Sequence, residues 1–148
     1  MARQHAPYGG GVFIADTSAW THAHVQRVRR SWVAALRNRQ IATCPIVNLE
    51  LLYATRNASE FDELAVDLAY LHDVPITSSV TDSALAVFRE LAAARPRFHR
   101  RVTLPDLLIA AAAAEAGVGI LHYDARFDRL ADVLRFESRW IAPSGSLP

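Results

Sequence analysis

The chain has 148 residues, a formal net charge of +1 and a single cysteine, Cys44. That length suffices for one domain with a substantial core, and one thiol excludes both an internal disulfide and a thiolate-rich zinc site. All 16 basic residues are arginine, which excludes mechanisms that need a catalytic lysine, P-loop nucleotide hydrolysis among them.

The opening "MARQHAPYGGGVFIAD" lacks the apolar stretch of a signal peptide, and residues 1–11 read as a flexible lead-in to a single domain over 12–148. No apolar run approaches the ~20 residues of a membrane span, so a cytoplasmic protein without a membrane partner is expected. "VFIAD" (12–16) predicts a first strand that ends in an acid. Val25, Val28, Trp32, Ala35 and Leu36 recur at helical spacing and predict one helix across 18–38 with a basic outer face. "IATC" (41–44) predicts a second strand, and Pro45 opens the helix "PIVNLELLYATR". Ser59 is a candidate cap for a helix through Leu71, "VPIT" (74–77) a third strand, and Thr81 to Arg95 a further helix. Arg95 to Thr103 reads as a basic loop. "LPDLLIAAAAAEAG" (104–117) predicts a helix entered through Pro105 and ended by Gly117. "GILHY" (119–123) predicts a fourth strand, 124–131 a short helix, and "LRFESRWI" a last strand. Short apolar strands alternating with helices imply an α/β fold, with a parallel sheet covered on both faces.

Ligands of such sheets bind beyond the carboxyl ends of the strands, where the strand order switches. Asp16 ends the first strand and Asp124 follows the fourth, so their carboxylates face one crevice if those strands are neighbours. Each also precedes a helix, where aspartate is a preferred cap. Glu50 shares a helix face with Ile46, Val47, Tyr53 and Ala54, an apolar and therefore inward side. A buried carboxylate must be paired, protonated or metal-bound. Asp106 lies in a first helical turn, where it suits the macrodipole and forms a capping box with Thr103. Its neighbours on the helix surface are Ile109, Ala110 and Ala113, while Glu115 falls opposite and reads as solvated. Gathered together, these four acids would raise one another's pKa. A hard divalent cation, Mg²⁺ or Mn²⁺, resolves that repulsion and suits phosphoryl chemistry.

"IADTSAW" (14–20), "VNLELLYATRN" (47–57), "LPDLLIAAAAAEAG" and "ILHYDARFDRL" (120–130), in that order, resemble the PIN-domain ribonucleases, the VapC toxins of bacterial toxin–antitoxin pairs above all. The resemblance covers nearly the whole chain from residue 12. It implies a three-layer α/β/α sandwich around about five parallel strands and Mg²⁺- or Mn²⁺-dependent cleavage of RNA to 5′-phosphate and 3′-hydroxyl ends. It also implies a homodimer and neutralisation by a VapB antitoxin. By position, the catalytic and metal-holding acids are Asp16, Glu50, Asp106 and Asp124, with Ser18 as the supporting hydroxyl. Many relatives read "HYDRDF", with an acid two residues after the fourth; here Arg126 stands there, which puts a second metal in question. Asp128, a polar position on a short amphipathic helix, reads as solvated.

Arginine forks donate bidentately to phosphate, so Arg126, Arg27 and Arg30 are candidate substrate contacts. Arg37 and Arg39, with Arg95, Arg97, Arg100 and Arg101, extend two candidate RNA tracks; a solvated face or an antitoxin-docking surface is the alternative use of both. Trp20 and Trp32 read as core or dimer contacts, and "HAH" (22–24) as surface. A catalytically silent PIN-like module that binds RNA or protein remains the alternative function.

Overall fold

The computed structural model describes residues 6–94 and 96–148. Five short strands form one parallel sheet: β1 (Phe13–Ala15), β2 (Ile41–Thr43), β3 (His72–Asp73), β4 (Gly119–His122) and β5 (Ser138–Trp140), in the order β3-β2-β1-β4-β5. The order reverses between β1 and β4, whose register sets Ala15 against Leu121. Eight helices connect the strands among the described residues: α1 (Thr17–His22), α2 (Gln26–Arg37), α3 (Pro45–Tyr53), α4 (Ala58–Ala69), α5 (Ser78–Ala94), α6 (Pro96–His99), α7 (Leu104–Ala116) and α8 (Arg126–Ala131).

Alternation along the strands builds two cores. Ile14, Ala42 and Ile120 face α3, α5, α7 and α8, while Phe13, Ala15, Ile41 and Leu121 face α1 and α2. Ala110 to Ala113 are all buried. Side chains this small let α7 lie close to the sheet. Gly119 is required for a similar reason, since a Cβ there would fall 2.6 Å from the Phe13 ring and 2.9 Å from the Glu137 carbonyl oxygen. Gly117 closes α7 in the left-handed region, at φ 68°. The sandwich is the expected α/β/α architecture around a five-stranded parallel sheet, and no helix among the described residues is long and apolar enough to cross a membrane.

Several boundaries differ from expectation. The single helix over 18–38 is two helices, because Val25 is extended and serves as the N-cap of α2. The break leaves α1 beside the end of β4 and lets Trp20 meet Trp32 edge-on, with ring centroids 5.0 Å apart. Asn57, not Ser59, caps α4 by accepting from the Glu60 N–H. The third strand is centred on His72 and Asp73, with the Val74 N–H still bonded to the Thr43 carbonyl. Thr77 accepts from Val80 N–H and starts α5 three residues early. The basic loop contains the turn of α6; Arg95 lies outside the described residues.

Of the lead-in, residues 1–5 lie outside the described residues and Gly9 to Gly11 are exposed. Tyr8 is buried, and the Gln40 side-chain amide donates to the carbonyls of Gly9 and Gly11 at 2.6 and 3.2 Å.

Candidate active site

Asp16, at the carboxyl end of β1, is buried and forms the N-cap of α1. Its Oδ2 accepts from both the N–H and the hydroxyl of Ser18, at 3.0 and 2.6 Å. The same hydroxyl accepts from the Tyr123 N–H at 2.9 Å. Ser18 therefore ties the end of β1 to the segment after β4, where the neighbouring strands open the crevice. Capping and siting coincide at Asp16.

Glu50 is half-buried on α3, and the apolar face expected around it is only partly inward. Val47 is buried, but Tyr53 is 92% exposed. Asn48, on the opposite side of the helix, accepts from the Thr43 hydroxyl at 2.6 Å. Along the last turn of α3, Glu50, Leu51 and Leu52 are half-buried and Tyr53 is exposed, so the face is divided between core and solvent. Glu50 lies at that margin, with Oε1 shielded from water and without a hydrogen-bond partner.

Asp106 is buried in the first turn of α7, where its N–H donates to Thr103 Oγ1 at 3.3 Å. Its Oδ2 is also without a hydrogen-bond partner. Asp124 follows β4 and accepts from the Arg126 N–H at 2.9 Å, so it turns the chain into α8. The Arg126 guanidinium then folds back on it: Nη2 stands 2.7 Å and Nε 3.0 Å from Asp124 Oδ2. Nε also stands 3.6 Å from Asp106 Oδ2.

The four acids share one electrostatic environment. Burial, more than any neighbour, raises the pKa of Asp16, and Asp124 adds to it. Glu50 is raised by burial and by the charges of Asp16 and Asp106. Asp106 is raised by burial and by Asp16 and Asp124, against the pull of Thr103 and Arg126. Asp124 differs: burial would raise it, but its bonds to Arg126 outweigh that and hold it below the usual carboxylate range. As the side chains stand, no three carboxylate, imidazole or thiol groups among the described residues close on a common ion. The crevice still fits a hard cation, because its donors are oxygens and Glu50 Oε1 and Asp106 Oδ2 are shielded anionic atoms without a donor.

Of the candidate substrate arginines, Arg126 lies at these acids and Arg27 and Arg30 are engaged elsewhere. Arg126 is engaged as described, Arg27 donates to the Ser146 carbonyl at 3.2 Å, and Arg30 lines a surface cavity of about 800 Å³ with Arg29 and Arg37.

A buried network escaped the sequence reading. His122 is fully buried on β4; its Nδ1 accepts from the Asp124 N–H at 3.1 Å, and its Nε2 lies 2.7 Å from Ser138 Oγ. The Ser138 hydroxyl donates to Asp128 Oδ1 at 2.6 Å, and Trp140 Nε1 donates to Asp128 Oδ2 at 2.9 Å. Asp128 is exposed, as expected of a solvated position, and also ends a hydrogen-bonded chain from the acidic crevice to β5. The available signal was a histidine inside an apolar strand, which must find polar partners when buried. Burial lowers its pKa to about 4, so the ring is neutral at pH 7, with Nε2 carrying the proton.

Comparison with known proteins matches this geometry. The family model described as PIN domain matches residues 13–133. Ribonuclease VapC18 of Mycobacterium tuberculosis is 43% identical over 136 residues, covering 92% of this chain and 99% of that protein. Ribonuclease VapC51 of the same organism is 37% identical over 135 residues, covering 91% and 96%. VapBC2 from Rickettsia felis, solved bound to a DNA fragment from its promoter, superposes with a TM-score of 0.65 at 18% identity, covering 86% of this chain and 98% of that one. VapBC-5 from Mycobacterium tuberculosis gives 0.60 at 22% identity, covering 86% and 97%. A family-model match over most of the chain and relatives up to 43% identical over nearly the whole of both chains lead to one conclusion: the chain belongs to the PIN-domain family and, within it, to the VapC proteins.

Proposed function

We propose that this chain is a metal-dependent endoribonuclease toxin, acting on cytoplasmic RNA and neutralised by a VapB-type antitoxin. The observation that carries the reading is the set of carboxylates at the β1–β4 switch point, where Glu50 Oε1 and Asp106 Oδ2 are shielded from water without a hydrogen-bond donor. Relatives named as ribonucleases and superposable VapBC complexes support the same assignment. Asp16, Glu50, Asp106 and Asp124 are the acids that hold Mg²⁺ or Mn²⁺. When bound, the ion polarises a phosphoryl oxygen and lowers the pKa of an attacking water. Ser18 fixes the rotamer of Asp16 through two hydrogen bonds. Glu50 orients the water through Oε1, which no protein group occupies. In-line attack on the scissile phosphate then leaves a 5′-phosphate and a 3′-hydroxyl, with no covalent enzyme intermediate. Arg27 and Arg30 steer the RNA backbone, and the working species is a homodimer.

Expression of the Asp16→Asn variant tests this directly. Growth inhibition and RNA cleavage should both disappear while the folded protein accumulates. Inhibition that persists without the carboxylate would identify the silent binding module instead.

A further inference from the structure

Two consecutive backbone amides follow β4, and each is held by a side chain. The Tyr123 N–H donates to Ser18 Oγ at 2.9 Å, and the Ser18 hydroxyl donates to Asp16 at the end of β1. The Asp124 N–H donates to His122 Nδ1 at 3.1 Å. The Asp124 carboxylate is fixed in turn by the next residues, since Oδ1 accepts from the Arg126 N–H at 2.9 Å. The direction of Asp124 therefore depends on a lone pair at His122 Nδ1.

The donors and acceptors beyond the ring keep that lone pair free. Asp128 is a carboxylate and can only accept. Its Oδ2 takes the Trp140 indole N–H at 2.9 Å, and its Oδ1 takes the Ser138 hydroxyl at 2.6 Å. Serine has one hydroxyl proton, so the Ser138 oxygen must accept from His122 Nε2, 2.7 Å away. Nε2 thus carries the ring proton and Nδ1 does not. The opposite tautomer would set an Nδ1–H against the Asp124 N–H, donor against donor, at a fully buried ring. The ring plane is held as well, with the Phe127 and Trp140 centroids 5.2 and 5.0 Å away.

We propose that Asp128 and Ser138 are positioning residues for RNA cleavage. Acting through the tautomer of His122, they hold the Asp124 amide and with it the aim of the Asp124 carboxylate. The effect on cleavage rests on the nuclease reading above; the hold on Asp124 does not. An acid that fixes the tautomer of an imidazole is familiar from hydrolytic triads, but here the imidazole aims a backbone amide.

The Asp128→Asn variant tests this. Asparagine has the same shape and the position is exposed, so the fold should survive, which thermal unfolding checks. The new amide serves Trp140 by turning its oxygen there and its N–H₂ to Ser138, and the serine hydroxyl then points at His122 Nε2. ¹⁵N NMR should show His122 pass from the Nε2–H to the Nδ1–H tautomer. Exchange of the Asp124 amide with deuterium should quicken about tenfold. The kcat for cleavage of a mixed-sequence RNA oligonucleotide should fall about 10- to 100-fold with KM unchanged. In a Ser138→Ala chain, where the path is already cut, Asp128→Asn should change kcat no further. An asparagine variant that keeps the Nε2–H tautomer, or one that changes tautomer and cleaves like wild type, would overturn the inference. Wild-type protein that holds the Nε2–H tautomer but cleaves neither the oligonucleotide nor total bacterial RNA would instead remove the nuclease reading. The hold on Asp124 would still be decided by its amide exchange.

Discussion

Ser18 joins the ends of two neighbouring strands with one hydroxyl, donating to Asp16 and accepting from Tyr123. Substitution by alanine leaves a shielded carboxylate oxygen short of a donor and the Tyr123 N–H without an acceptor. A loss of about 1–3 kcal/mol is expected in denaturant unfolding, with activity falling further because Asp16 loses its fixed rotamer. Glu50 behaves in the opposite sense. Its folded pKa lies above the unfolded value, so the folded state holds the proton more tightly and its ionisation works against folding as pH rises through the raised pKa. Metal-free Glu50→Gln protein should therefore be more stable than wild type at pH 7. The difference should vanish as pH falls below the ordinary carboxylate range, where the glutamate is protonated in both states. Urea unfolding at several pH values measures it; a glutamine variant less stable at pH 7 would show that Glu50 is compensated by a group not identified here. Activity and stability diverge at this residue, as they do where a site is built from mutually repelling groups.

At the scale of elements, β4 does most to assemble the crevice. It pairs with β1 and β5, leads into Asp124, and carries His122 with its bonds to Ser138 and the Asp124 N–H. The histidine is depressed to about 4, mainly by burial, so its proton uptake in the unfolded chain destabilises the fold progressively from about pH 6.5 down to 4. Its ring nitrogens should retain the chemical shifts of the neutral Nε2–H tautomer in the folded protein down to about pH 5, as read by ¹⁵N NMR. A ring that titrates near 6.5 would contradict the buried chain. Gly119→Ala tests the same strand by volume, because the added methyl meets the Phe13 ring and the Glu137 carbonyl. A loss of about 1–3 kcal/mol in equilibrium unfolding is expected from such overpacking.

For the whole molecule, the metal-holding role proposed for the crevice ties ion binding to folding. An ion that binds the gathered acids of the folded chain, and not the dispersed acids of the unfolded one, stabilises by mass action. Millimolar Mn²⁺ should raise the unfolding temperature of wild-type protein, and chelation should reverse the shift. The gain should be much smaller for Glu50→Gln, which has lost one of the acids that face the ion. An equal rise in both would place the ion elsewhere on the chain.

The chain alone determined the class of fold and pointed to the four acids proposed for the site. Strand–helix alternation is a periodic signal written in consecutive residues, and acids at strand ends and in helix first turns are local features. Even the buried side of Asp106 was legible, since Ile109, Ala110 and Ala113 repeat on its helix face and all three are buried. Only the tertiary structure decided what depends on distant segments meeting. The break at Val25, the exposed end of α3 at Tyr53, the path from His122 to Asp128, and the choice of Arg126 between substrate and Asp124 all belong to that class. The physical reason is one of range: propensity and periodicity act over a turn or two of chain. Burial, charge pairing and hydrogen bonding depend on which remote atoms share the same few ångströms.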